Sequence, residues 1–165
     1  MKTVYFVRHA KSSWDQPALR DAERPLNQRG LRDAPFMAKL MHGRGVQPDL
    51  LLSSPAVRAW STAKFFAEAL GVAEAAIQRD KRIYEAYPEE LLGVLQELPD
   101  EVGVVFLFGH NPGLTSVANF FAEEYILNIP TCGIFRVDAA IDSWTDFRQG
   151  KGRLSELHYP KQYFN

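Results

Sequence analysis

Three short, mostly apolar runs and one mixed extended stretch punctuate the chain, and segments with apolar residues every three or four positions separate them. Thr3 to Val7, Pro48 to Ser53 and Val102 to Phe108 lack strict alternation, as expected of strands covered on both faces. Lys81 to Tyr87 reads as a short extended stretch. Between them, Leu31, Ala34, Ala38 and Met41 mark one amphipathic helix, opened by Asn27 and closed by Gly43 and Gly45. Pro35 falls inside it and predicts a kink or a late start. A second helix carries Ala56, Ala59, Ala63, Phe66 and Leu70, with Ser54 as N-cap, Pro55 at the first position and Gly71 as its stop. Pro88 opens a third with Leu91, Leu92, Leu95 and Leu98 on one face. Asn111 and Pro112 open a fourth with Leu114, Val117, Ala118 and Phe121 buried.

Beyond Pro130 the pattern turns to alternation, over Gly133 to Asp138 and over Ser143 to Arg148, which predicts a hairpin or its equivalent. Leu154 to Tyr159 is a last extended segment. The order β-α-β-α-β-α-β-α, then further β, predicts a three-layer α/β/α sandwich with a mainly parallel central sheet. Nothing in 165 residues suggests a linker or a repeat, so residues 1–165 are expected to form one domain.

Composition excludes more than it assigns. Nineteen basic against twenty acidic residues give a net charge of −1, which argues against a non-specific nucleic-acid binder. Cys132 is the one cysteine, so neither an intrachain disulfide nor a cysteine-rich metal motif is available. There is no membrane-spanning run and no signal-peptide pattern, and a cytoplasmic location is expected.

The chemistry gathers where strands end. Arg8 and His9 follow the first strand; His110, between Gly109 and Asn111-Pro112, follows the most apolar one. Arg58 lies in the first turn of the second helix, where free backbone N–H groups favour an anion. In open α/β sheets, ligand crevices form at the carboxyl ends of strands. Two arginines and two histidines on that rim make a phosphate pocket, and neither a carboxylate cluster nor a histidine spacing calls for a metal. A P-loop is absent. Asp21 to Arg24 is a charged loop near enough in sequence to support the site. Glu85, just before the third helix, is positioned to project into the crevice; a plain surface carboxylate is the competing reading.

Taken together, these residues resemble the histidine phosphatase superfamily, whose fold is phosphoglycerate mutase-like. Val7-Arg8-His9-Ala10 is similar to its Arg-His-Gly signature, with alanine for glycine. Ser53-Ser54-Pro55-Ala56-Val57-Arg58 and Gly109-His110-Asn111-Pro112 match its second arginine and second histidine segments. Arg8 to Trp14, Glu23-Arg24-Pro25-Leu26-Asn27 and Pro130-Thr131-Cys132-Gly133 look like the SixA-type phosphohistidine phosphatases. The resemblance implies a phosphatase that needs no cofactor. His9 would be the nucleophile, Arg8, Arg58 and His110 the phosphate ligands, and Glu85 the candidate proton donor. The expected partner is a protein bearing phosphohistidine or a small phosphorylated metabolite, with neither nucleic acid nor membrane. A metabolite phosphatase acting on sugar or nucleotide phosphates would use the same residues, and a non-catalytic phosphate-binding module would keep the pocket without turnover.

Overall fold

A computed structural model describes residues 1–164. The strands are β1 (Lys2–Arg8), β2 (Leu50–Ser53), β3 (Gln78–Arg79), β4 (Val104–Gly109), β5 (Ile134–Ala139) and β6 (Gly152–His158). The helices are α1 (Gln28–Gly43), α2 (Val57–Leu70), α3 (Pro88–Gln96) and α4 (Gly113–Phe121). One six-stranded sheet runs β3-β2-β4-β1-β5-β6. The first four are parallel to one another, while β5 is antiparallel to both β1 and β6.

The continuous apolar runs are explained by two cores divided by residue parity. Val4 and Phe6 of β1, with Val105 and Leu107 of β4, face α3 and α4. Tyr5 and Val7, with Phe106 and Phe108, face α1 and α2. Each central strand therefore buries successive side chains on opposite faces, and the result is an α/β/α sandwich.

Several boundaries differ from the sequence expectation. Residues 143–148 do not form a strand: Trp144–Asp146 is a 3-10 turn. Trp144 and Phe147 lie three apart, so a turn sends both into the core, and the Trp144 indole donates to the Val102 carbonyl at 2.8 Å. The partner of β5 is instead β6. Lys81–Ile83 is likewise a 3-10 turn, because the Asp80 carboxylate accepts the Arg82 backbone N–H at 2.9 Å. The helix α1 runs through Pro35. The Leu31 carbonyl that would have paired there belongs to a residue 52% exposed, where solvent can replace the missing donor. Leu31 is thus off the buried stripe. A Cβ on Gly30 would lie 2.2 Å from the Lys11 carbonyl, so that close approach fixes which face α1 turns inward.

The helix α2 starts at Val57, after Ala56, so Ser54 is not its N-cap. The Ser54 N–H is held by the Phe108 carbonyl at 3.0 Å, which keeps this residue extended beside β4. Similarly α4 starts at Gly113, and the Asn111 side chain accepts the Thr115 N–H at 3.1 Å from one residue further out.

Candidate active site

The two histidines meet because β1 and β4 are neighbours in register. Arg8 pairs with Gly109, and the next residue on each strand is a histidine. The His9 N–H donates to the Gly109 carbonyl at 3.0 Å. The imidazoles lie 5.2 Å apart between ring centroids, tilted by 50°. Arg58 reaches the same place from the first turn of α2 and is buried, not solvent-facing.

Hydrogen bonds fix the protons. His9 Nδ1 lies 2.7 Å from the Ala10 carbonyl, which can only accept. Nδ1 therefore carries the hydrogen and Nε2 keeps its lone pair. His110 Nε2 lies 2.8 Å from Ser54 Oγ. That oxygen accepts the Ala56 N–H at 3.2 Å and has one hydrogen to give. In the tautomer where it gives that hydrogen to His110 Nε2, His110 Nδ1 is a donor as well.

Burial, reinforced by Arg58, Arg8 and Arg24, lowers the pKa of His9 to about 3 against the opposing hydrogen bond to Ala10. Burial, then His9 and the arginines, lowers that of His110 to about 3. Both rings are neutral at physiological pH.

The cavity between them holds about 230 Å³ and is lined by four cationic side chains, Arg8, Lys11, Arg24 and Arg58, and by no carboxylate. Of the larger depressions, one of about 570 Å³ lies elsewhere on the surface and one of about 480 Å³ adjoins the cavity at Asn111. What singles out the smaller one is its unpaired donors. Arg8 Nε, Arg58 Nε and His110 Nδ1 are buried without a protein partner, and among the described residues they are the three such side-chain atoms. Leaving a buried donor unpaired costs about 1–3 kcal/mol each. Three of them converging in a cationic pocket suit an oxyanion with several acceptor oxygens.

The loop over the mouth of β1 does more than the sequence indicated. Arg58 donates to the Asp21 carbonyl at 2.7 Å and to its carboxylate at 2.9 Å. Arg24 Nε donates to the same carboxylate at 3.2 Å, and the Tyr84 hydroxyl at 2.6 Å. The Tyr84 bond first, then Arg58 and Arg24, hold the Asp21 carboxyl well below the usual carboxylate range. Asp21 thus stays ionised and aims two arginines. The Arg24 guanidinium also donates to Ser12 Oγ at 2.7 Å and stacks 3.6 Å from the Trp14 ring centroid. Charge density and closeness in sequence to Arg8 and His9 were the signals for Asp21, and for Arg24 also the Glu23 to Asn27 motif. Tyr84 had none and Ser54 was legible only within its motif and as a helix cap, because their bonds reach partners 63 and 56 residues away.

Glu85 is exposed and outside the cavity lining. Its backbone is left-handed, φ 53°. It follows Tyr84, whose hydroxyl is raised to about 12 by burial, by Asp21 and by the Glu85 carboxylate. Ala10 is fully buried, and its N–H donates to Thr62 Oγ1 at 3.0 Å. It is not among the residues at positive φ, so the loop does not require the family glycine.

The family profile described as histidine phosphatase superfamily (branch 1) matches residues 4–103. The chain belongs to the histidine phosphatase superfamily. His110 lies beyond the matched stretch and joins this histidine phosphatase site through the sheet register. The fold is shared with SixA from Agrobacterium tumefaciens, 30% identical, covering 96% of this chain and 98% of that one with a TM-score of 0.80. The protein histidine phosphatase SixA complexed with tungstate is 22% identical, with coverages of 97% and 98% and a TM-score of 0.82. A mycobacterial glucosyl-3-phosphoglycerate phosphatase complexed with VO3 is 14% identical, with coverages of 97% and 100% and a TM-score of 0.72. An uncharacterized chloroplastic protein of Arabidopsis thaliana is 30% identical over 154 residues, 88% of this chain and 70% of its own. This histidine phosphatase is therefore SixA-like in fold, and its family membership supports phosphatase activity. Among the described residues, no helix is long and apolar enough to cross a membrane.

Proposed function

We propose that the protein is a metal-independent phosphatase that uses His9 as nucleophile and acts on phosphohistidine carried by another protein. The observation that carries the reading is the His9 imidazole, neutral, with Nδ1 committed to Ala10 and Nε2 left free beside the unpaired donors of Arg8, Arg58 and His110. In this reading Nε2 attacks phosphorus. The bond from phosphorus to the substrate's imidazole nitrogen breaks with its electron pair staying on that nitrogen, and the ring, already protonated by solvent on its other nitrogen, leaves as neutral imidazole. Water then attacks the phosphorus on His9, releasing inorganic phosphate and restoring the neutral ring. Arg8, Arg58 and His110 hold the phosphoryl oxygens, with Arg24 beside them. Phosphoryl transfer asks mainly for this alignment and charge.

Substrate choice is supported by size. A cavity of about 230 Å³ takes a phosphoryl group and leaves the rest of the substrate outside. Pockets that enclose metabolites are usually larger, roughly 300–1,000 Å³. The SixA relatives support the same choice. Glu85 is proposed as the proton donor for ester leaving groups, reaching in from the rim; a protonated imidazole needs less such help.

The test is to trap the enzyme with labelled substrate and to compare turnover without added metal and with chelator present. The expected result is an acid-labile phosphoramidate on His9, turnover insensitive to chelator, and a loss of roughly 10³-fold or more in His9→Ala. Substantial turnover by His9→Ala refutes the nucleophile. A higher kcat/KM on a sugar phosphate than on a phosphohistidine domain gives the site to metabolites instead.

A further inference from the structure

Beside the active site runs a second depression of about 480 Å³ along the outer face of α4, and Asn111 lines both. Its walls include Thr115, Ser116 and Asn119 on the helix, with Tyr125 and Leu127 on the segment that follows; no charged side chain lines it. That is unusual in a chain with 24% charged residues. Tyr125 is 79% exposed and Leu127 83% exposed.

Single exposed apolar residues are ordinary on a protein surface. Here two of them project from a backbone that is tied down. The Asn119 side chain bonds Ile126 in both directions, accepting its N–H at 2.8 Å and donating to its carbonyl at 2.9 Å. The Ile129 N–H donates to Thr115 Oγ1 at 3.0 Å. Asn111 donates to Asn128 Oδ1 and to the Ile129 carbonyl, both at 3.0 Å. The same Ile129 carbonyl accepts the Arg8 guanidinium at 2.8 Å. One rigid segment thus presents Leu127 to solvent and, two residues on, aims a phosphate-site arginine. A surface already ordered avoids much of the entropy cost of binding.

We infer that this groove is the docking site for the protein that delivers the phosphoryl group, and that it receives an uncharged, apolar-centred face adjoining the phosphohistidine. The inference rests on the proposed function. Asn111 lines both, so the groove adjoins the cavity, and the buried Ile129 carbonyl ties the groove's wall to Arg8. A partner seated on Tyr125 and Leu127 therefore places its histidine at the mouth. A charged face would lose its hydration in a groove offering only amides, hydroxyls and apolar carbon.

Leu127→Asp and Ser116→Arg test it, each putting a charge into the groove at a position that is not fully buried. The substrates are phosphoimidazole and a carrier domain phosphorylated on histidine with phosphoramidate. For the carrier, kcat/KM is expected to fall ~10-fold or more, through KM, as for loss of a central interface contact. For phosphoimidazole it is expected to stay unchanged. Equal losses on both substrates, or none on the carrier, overturn the inference. So does a wild type that favours the carrier no more than phosphoimidazole, although the His9 chemistry then stands. A wild type that hydrolyses neither substrate overturns the proposed function itself.

Discussion

Acidification should unfold this protein through its own active site. In the unfolded chain, His9 and His110 each take up a proton near the ordinary pKa of 6.5; in the folded chain they do so only near about 3. The folded pKa is depressed, so the unfolded state binds more protons across that window. Stability is full above pH 6.5 and is lost progressively as pH falls toward the folded value. At about pH 5 an unfolded imidazole gains roughly 2 kcal/mol from protonation that the folded one forgoes, or about 4 kcal/mol for the pair. That is a large share of the ~5–15 kcal/mol that holds a domain of this size together. The physical source is plain: two rings buried beside three arginines cannot accept charge cheaply. Urea unfolding of wild type and of His9→Asn, at about pH 8 and about pH 5, isolates the effect, because carboxylate titration is common to both. The variant should lose about 2 kcal/mol less than wild type between the two conditions. Equal losses would refute the reasoning and imply that His9 is protonated, or solvated, in the folded state.

Two further predictions concern the surroundings. Gly30→Ala should destabilise the fold by ~1–3 kcal/mol, read from urea midpoints, because its Cβ must displace the Lys11 carbonyl and the cavity loop with it; unchanged stability would mean that α1 shifts freely. Glu85→Gln should slow hydrolysis of an alkyl phosphate ester ~10²-fold or more while slowing phosphohistidine hydrolysis much less, and equal kcat/KM losses on both would remove the proton-donor role.

How much of this was legible beforehand depends on whether a signal is local or distant in sequence. The apolar runs of β1 and β4 announce buried strands because each successive side chain meets a core. Arg8, His9, Arg58 and His110 are legible as a group because all follow strand ends or begin a helix, and such positions converge in a parallel sheet. The 143–148 segment misled because two aromatics among polar residues fit a short strand as well as a turn; the burial of Trp144 and Phe147 decided it.

The sequence by itself determined the layered α/β order, the rim on which the site lies and the residue types on it, since these follow from periodicity and from what caps a strand or helix. Tertiary structure decided the rest: the His9 tautomer follows from its neighbour Ala10, but nothing local to His9 or His110 assigns their neutrality or the bond from His110 to Ser54. Arg24 is a local partner of Asp21, but nothing local tells that Asp21 also aims Arg58 under a hydroxyl from Tyr84. Those properties arise from burial and from partners on separate elements, and both exist only once the sheet has set its register.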